Sequence, residues 1–157
     1  MNKNFKSILV CDSREQKCLE FRKDVFDEVI VEGLPFGDYW NFWRFDDGTE
    51  KTIPICFERK GLGDLFGTMG KGYERFKKEM ERAKEAKFHL ILIIEGSIRD
   101  VGRGYEHSSI KGESMLKKLA MLRVRYDLEV LFFEDRKSMA RWIEEVFSAV
   151  ERNYSKT

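Results

Sequence analysis

The fold of this chain is decided by the stretch "GDYWNFWRFDDGTEKTIPICFERK", residues 37–60. Aromatic and β-branched residues are frequent on both sides of Asp47-Gly48, a pair that is typical of tight hairpin turns. We therefore expect a β-hairpin whose first strand begins near Asp38 and whose second strand ends soon after Glu58. The strands of a hairpin lie side by side, so Asp38 returns to the neighbourhood of Glu58.

The charged residues at the end of the second strand alternate between its two faces in a way that indicates a catalytic function. Side chains of a strand point alternately to its two faces, which places Glu58 and Lys60 on one face and Arg59 on the other. The carboxylates of Asp38 and Glu58 together with a lysine would form a poor core. They would suit Mg²⁺, which prefers a few carboxylate oxygens together with water and phosphate. The set fits phosphodiester hydrolysis, although a solvated strand end with ordinary ion pairs has the same composition.

The rest of the chain alternates strands with helices. The most apolar run, "FHLILIIEG" at 88–96, predicts a central strand, and the polar, glycine-containing loop at 97–114 is expected to be mobile. Together the elements predict an α/β fold, in which a central mixed β-sheet carries the hairpin and helices cover both faces. We expect strands at 6–12, shortly after 27, at 52–60, at 88–96 and at 128–135, and helices at 14–26, 73–87, 115–127 and 137–154.

The length and the net charge of the chain limit the classes of protein to which it can belong. With 157 residues and 42% hydrophobic content, the chain can bury one sizeable core, and we expect one domain over residues 1–157. The net charge is +1 although 36% of the residues are charged, which excludes the global basic field of many small nucleic-acid-binding proteins. Any contact with nucleic acid must therefore come from local patches.

The cysteines and the start of the chain indicate a compartment. Cys11, Cys18 and Cys56 are odd in number and form no CxxC pair, which argues against a disulfide framework and against a zinc site. We therefore expect a reduced intracellular location. The first apolar run is only a few residues long before Asp12 and Arg14, so we expect neither a signal peptide nor a membrane partner.

Three motifs carry a resemblance to a known family. "CDSRE" at 11–15, "GDY" at 37–39 and "ERKGLGDL" at 58–65 follow the order and approximate spacing of the V-D-x-R-E, G-D-Y and E-R-K-x-x-x-D-L signatures of XPF-type nucleases. This domain is also called the excision-repair cross-complementation group 4 nuclease domain and belongs to the PD-(D/E)XK superfamily. The resemblance covers nearly the whole chain and implies a restriction-endonuclease-like fold, with the active site on the hairpin.

The resemblance implies a metal-dependent catalytic centre. Asp38 and Glu58 would be metal ligands, with Asp64 as a further acidic ligand near the metal, and Lys60 would be the catalytic lysine. The implied cofactor is Mg²⁺ or Mn²⁺. Such a metal lowers the pKa of bound water and stabilises the charge that develops on a phosphate under attack, while a lysine orients the water or neutralises that charge.

Four further residues are expected to line or support the same site. Asp12, Arg14 and Glu15 would lie at the end of the first strand, and Arg59 would support the site or contact phosphate. For Asp12 and Glu15 the alternative is a helix N-cap and a first-turn acid. For Arg59 the alternative is a structural salt bridge.

Local cationic patches are the candidates for DNA binding. Lys71 and Arg75 could form part of a phosphate-contacting stripe on the helix after the catalytic motif, although interleaved glutamates fit a solvated helix equally well. Arg103 and Lys111 lie in the polar loop, where flexibility would suit a strand clamp. A polar loop without function is the alternative there.

The resemblance implies a DNA endonuclease with a preference for flap, fork or branched DNA, acting in repair or recombination. A homodimer through the nuclease domain is also implied. Many members continue into helix-hairpin-helix modules, whereas this chain resembles stand-alone microbial or phage versions, so we expect a cytoplasmic, nucleoid-associated protein, or a nuclear one in a eukaryote. Two alternatives remain, a non-catalytic DNA-binding or scaffolding module of the same fold and a nuclease of restriction or resolvase type.

Overall fold

The computed structural model describes residues 3–155, which form a mixed β-sheet with helices on both faces. The strands are β1 Phe5–Asp12, β2 Glu28–Glu32, β3 Tyr39–Phe45, β4 Glu50–Thr52, β5 Ile55–Gly61, β6 His89–Glu95 and β7 Glu129–Phe133. The helices are α1 Leu62–Met69, α2 Tyr73–Glu85, α3 Ile98–Arg103, α4 Gly112–Tyr126 and α5 Arg136–Tyr154.

The sheet has the strand order β2-β1-β3-β5-β6-β7, with the short β4 paired to β3. Strands β1 and β2, β5 and β6, and β6 and β7 are parallel, whereas β3 runs antiparallel to β1, β4 and β5. One hydrophobic core packs α1, α2 and α4 against one face, and a second core packs α5 against the other. The predicted α/β architecture is confirmed.

The hairpin forms as predicted, with one break in its second strand. β3 and β5 are antiparallel with Tyr39 opposite Phe57, which brings the start of β3 beside the end of β5. The returning segment was expected to be continuous over 52–60, but it divides into β4 and β5 around Pro54. Proline has no N–H group to donate to a neighbouring strand, and this interrupts the ladder.

The prediction of a helix over 14–26 is wrong, because this segment consists of turns and irregular backbone. Its backbone groups are satisfied by distant partners instead. The Leu19 N–H donates to Tyr39 Oη at 2.9 Å, and the Arg22 N–H donates to Glu144 Oε2 at 2.7 Å. The segment thereby covers the α5 side of the sheet without helical hydrogen bonds.

The cysteine expectation also requires a correction. Cys11 and Cys18 form a disulfide, with Cα atoms 6.2 Å apart, while Cys56 is free and buried. An odd number of cysteines therefore does not exclude a disulfide, because two of the three form the bridge and the third remains a free thiol. The disulfide ties the end of β1 to the irregular segment that follows it.

The segment at 97–114, expected to be a loop throughout, contains helical structure. It contains α3, which begins with a reciprocal capping box between Ser97 and Asp100, and α4 already starts at Gly112. The predicted loop is therefore limited to the residues between these two helices, and its mobility stays a prediction. None of the helices within residues 3–155 is both long and apolar enough to cross a bilayer.

Candidate active site

The predicted catalytic residues converge on one cleft of about 350 Å³. It lies at the ends of β1 and β5, where residues of α1 and α2 also line it. Residues that are far apart in sequence are thus assembled by strand pairing, as the hairpin interpretation requires. All eight predicted catalytic residues line it, namely Asp12, Arg14, Glu15, Asp38, Glu58, Arg59, Lys60 and Asp64.

Backbone hydrogen bonds fix Asp38 beside the end of β5. The Asp38 N–H donates to the carbonyl of Phe57 at 2.7 Å, and the Arg59 N–H donates to Asp38 Oδ2 at 2.7 Å. Gly37 precedes this residue with a φ of +70°, a conformation that side chains disfavour. The Asp38 carboxylate is therefore held against the strand that carries Glu58.

Burial separates the carboxylates of Asp38 and Glu58 from the water that would stabilise their negative charge. Burial, and to a lesser extent the neighbouring Glu15 and Glu79, raises the pKa of Asp38 to about 7, even though the Arg59 N–H bond opposes the shift. Burial, followed by the charges of Asp38 and Glu79, raises the pKa of Glu58 well above its usual range. Perturbed acids of this kind in a cleft are typical of functional sites.

Lys60 is the cation closest to these acids. Its Nζ lies 3.2 Å from Glu58 Oε1, which confirms that the two side chains share one face of β5. Burial alone would lower the pKa of Lys60, but the charge and hydrogen bond of Glu58 outweigh burial and raise it. Lys60 therefore stays protonated and can donate hydrogen bonds to an anionic group in the cleft.

Asp12 is buried, and both of its carboxylate oxygens accept hydrogen bonds. Its Oδ2 accepts from Arg14 Nε at 2.9 Å, and its Oδ1 accepts from the Leu34 N–H at 2.8 Å. Arg14 also donates to the carbonyl of Leu34 at 2.6 Å. No helix follows Asp12, so its alternative interpretation as a helix N-cap is wrong, and its contacts instead fix the backbone that leads to Asp38.

Glu15 and Arg59 form a second internal pair. Arg59 Nε donates to Glu15 Oε2 at 2.9 Å, Tyr39 Oη donates to the same oxygen at 2.9 Å, and Arg59 also approaches Glu95 at 3.8 Å. The salt bridge considered for Arg59 is therefore present. The interpretation of Glu15 as a first-turn acid is wrong, because no helix forms there.

These contacts divide the cleft into two halves. The paired half contains carboxylates that each have an arginine partner, and the acidic half contains carboxylates that share one lysine. The paired half consists of Asp12, Arg14, Glu15 and Arg59. The acidic half consists of Asp38, Glu58 and Glu79.

Glu79 is the site residue that the motif interpretation missed. It lies on α2, its Oε1 accepts from the Gly37 N–H at 2.9 Å, and it lines the cleft, where its proximity contributes to the raised pKa of Glu58. One signal was available in the sequence. Glu79 is three residues after Phe76 and four before Ala83, both buried, so it borders the inner face of α2.

The donor set in the acidic half fits a hard divalent cation. Mg²⁺ is commonly held by one or two carboxylates, with water and substrate phosphate completing its ligands. Asp38 and Glu58 provide two desolvated carboxylates with raised pKa values. Asp64 lines the cleft but is exposed on α1. Within residues 3–155, no group of three or more His, Cys, Asp or Glu side chains is positioned to hold a metal by itself.

The four predicted DNA-binding residues are not all at the cleft. Arg75 lines it, whereas Lys71 lines a different groove of about 280 Å³ along α1, which shares no lining residue with the cleft. Arg103 ends α3 and Lys111 precedes α4, both exposed and outside the cleft lining. Arg82, which follows Arg75 on the same helix, also lines the cleft and donates to the carbonyl of Pro35 at 3.1 Å.

Comparisons with known proteins identify the family and the fold. The family model of the ERCC4 domain matches residues 11–146. XPF from Aeropyrum pernix is similar in structure, with a TM-score of 0.66 and 23% identity over 95% of this chain and 67% of that chain. XPF from Aeropyrum pernix in complex with DNA is also similar, with a TM-score of 0.64 and 21% identity over 94% and 66%. This chain spans about two thirds of the length of those chains. A search of curated proteins found no match.

Proposed function

The chain belongs to the ERCC4 domain family, a nuclease-domain family, and we propose that it is a DNA endonuclease that depends on Mg²⁺ or Mn²⁺. One observation carries the proposal. The carboxylates of Asp38 and Glu58 lie in one cleft, Lys60 Nζ is 3.2 Å from Glu58, and burial raises the pKa of both acids. Burying uncompensated acids is costly, and a divalent cation would offset that cost.

Each residue of the acidic half has a role in this proposal. Asp38 and Glu58 would hold the metal, which when bound supplies an activated water and charge stabilisation for the phosphate. Lys60 would donate a hydrogen bond to the attacking water or to the phosphate oxygen, since it is held protonated beside Glu58. Asp64, exposed at the rim, would approach the metal only through an additional water or after binding of the substrate.

DNA is the substrate that the proposal assigns. The family assignment supports it, as does the similarity to XPF from Aeropyrum pernix, whose fold is also known in complex with DNA. Arg75 lies in the lining of the cleft and no ion pair within residues 3–155 engages it, so it could contact a phosphate. We further propose a preference for flap, fork or branched DNA, and pairing of two nuclease domains as a homodimer.

Cleavage of labelled DNA tests the function directly. Flap, fork, four-way and linear duplex substrates would be incubated with Mg²⁺, with Mn²⁺ and with a chelator, using the wild type beside Lys60→Ala. We expect metal-dependent cutting that is strongest on branched substrates and is lost in the variant. Binding without cutting under all conditions would instead support a scaffolding module. Equal cutting of linear duplex would support an enzyme of restriction type.

A further inference from the structure

Glu79 lies outside the three motifs, yet it lines the cleft and accepts a hydrogen bond from the residue before Asp38. We propose that Glu79 is a positioning residue that fixes the turn before Asp38 and thereby holds the Asp38 carboxylate beside Glu58 in the arrangement that binds a metal. This inference rests on the proposed function and deepens it. It assigns a role to α2, a helix whose charged residues otherwise fit a solvated surface.

The contact of Glu79 acts on Asp38 through the preceding residue. Glu79 Oε1 accepts from the Gly37 N–H at 2.9 Å. Gly37 is tightly confined, because a Cβ atom there would lie 3.2 Å from Cys56 Cβ and its φ is +70°. Arg82, one turn further along α2, donates to the carbonyl of Pro35 at 3.1 Å. Helix α2 therefore holds the turn before Asp38 at two points.

The surroundings of Glu58 also depend on this helix. Glu79 and Glu58 line the same cleft, and the ion-pair partner of Glu58 is Lys60, whose Nζ lies 3.2 Å from Glu58 Oε1. Glu58 is only 5% exposed, so water contributes little to its orientation. Hydrogen bonds from outside the ligand set commonly orient metal-binding carboxylates and determine their affinity for the metal.

The geometry favours positioning over direct ligation by Glu79. Its Oε1 is already committed to the Gly37 N–H. No three acidic, histidine or cysteine side chains within residues 3–155 are arranged to share a metal ion. A glutamine could make the same contact, because its amide oxygen can accept from the Gly37 N–H. The hydrogen bond to Gly37, rather than the negative charge, is therefore the contribution of Glu79.

The test compares Glu79→Gln with Glu79→Ala, and uses Glu81→Ala as a matched control because Glu81 is exposed on the same helix. Mn²⁺ affinity is measured by calorimetry on the purified protein, and cleavage of flap DNA is measured separately. We expect Glu79→Ala to weaken Mn²⁺ binding by about 10–100-fold. Glu79→Gln and Glu81→Ala should remain close to the wild type. Thermal melting confirms folding, and Glu79→Met, which fills the same space without polar atoms, replaces an alanine variant that does not fold.

Two results would overturn the inference. Unchanged Mn²⁺ affinity in both Glu79→Ala and Glu79→Met would show that the hydrogen bond to Gly37 does not position the ligands. An equal loss in Glu79→Gln and Glu79→Ala would show that the carboxylate charge itself is needed, as in direct ligation. A wild type that neither binds Mn²⁺ nor cuts DNA would instead contradict the proposed function, and with it this inference.

Discussion

The two halves of the cleft treat buried carboxylates in opposite ways. In the paired half, Asp12 has Arg14 and Glu15 has Arg59, each with an N–O distance of 2.9 Å. In the acidic half, Lys60 pairs with Glu58 at 3.2 Å, while Asp38 and Glu79 accept backbone N–H groups and have no arginine or lysine ion pair among residues 3–155. Each half contains one deeply buried carboxylate, since Asp12 is 2% exposed and Glu58 is 5% exposed.

The difference shows that burial alone does not identify a metal site. A buried carboxylate with an arginine partner is satisfied within the protein, and removing the partner is what costs stability. A buried carboxylate that lacks such a partner has a raised pKa, as Asp38 and Glu58 do, and gains from an added cation. The paired half therefore maintains the structure, and the acidic half is available for chemistry.

The largest expected effect is the loss of activity when an acidic-half ligand is neutralised. Asp38→Asn or Glu58→Gln removes a proposed metal ligand without changing shape, and we expect DNA cleavage to fall by about 1,000-fold or more, on the order of 4 kcal/mol in activation free energy. Thermal melting without metal should not fall, because a poorly solvated charge has been removed. Asp47→Asn, in the exposed hairpin turn, is the matched control. Full activity in a folded Asp38→Asn or Glu58→Gln variant would contradict the metal-site assignment.

The paired half should respond in the opposite manner, by losing stability. Arg59→Ala leaves Glu15 buried without its cation, and we expect a loss of about 3 kcal/mol in the free energy of unfolding, measured by urea denaturation. The control is Arg44→Ala, which removes an exposed ion pair to Glu50 with an N–O distance of 3.4 Å and should cost about 0.5 kcal/mol or less. Similar losses in the two variants would remove the distinction between the halves.

The disulfide restrains the backbone of the paired half. Cys11 and Cys18 are 7 residues apart and enclose Asp12, Arg14 and Glu15. Closing a loop of this length is expected to stabilise the fold by about 2.5 kcal/mol through the unfolded chain. Cys18→Ser should lower the free energy of unfolding by that amount. Thiol titration of the denatured, unreduced wild type should find only Cys56, and three reactive thiols would contradict the bridge.

The hairpin and its acids could be predicted because their determinants are local. Strand alternation and the turn at Asp47-Gly48 place Asp38 beside Glu58, and the structure has this pairing. The break in the second strand also has a local cause in the sequence, because Pro54 has no N–H group to donate to the neighbouring strand. Short-range patterns of this kind depend on neighbours in sequence, which a single chain displays directly.

Other features depend on partners that are distant in sequence. The segment at 14–26 is irregular because Leu19 bonds to a side chain 20 residues away and Arg22 to one 122 residues away. No local sequence pattern indicates either of these two hydrogen bonds. Glu79 is intermediate, because its position beside the buried face of α2 was visible but its contact with Gly37, 42 residues away, was not.

The smallest expected effect concerns the rim of the acidic half and tests whether DNA passes there. Arg75 lines the cleft without an ion-pair partner among residues 3–155, so Arg75→Ala should weaken DNA binding by about three- to tenfold and reduce the salt dependence by roughly one phosphate contact. Binding is measured by fluorescence anisotropy at several salt concentrations. The control is Arg125→Ala, an exposed arginine near the opposite end of β6. Equal effects of the two variants would indicate diffuse attraction to the whole surface and would remove Arg75 from the DNA path.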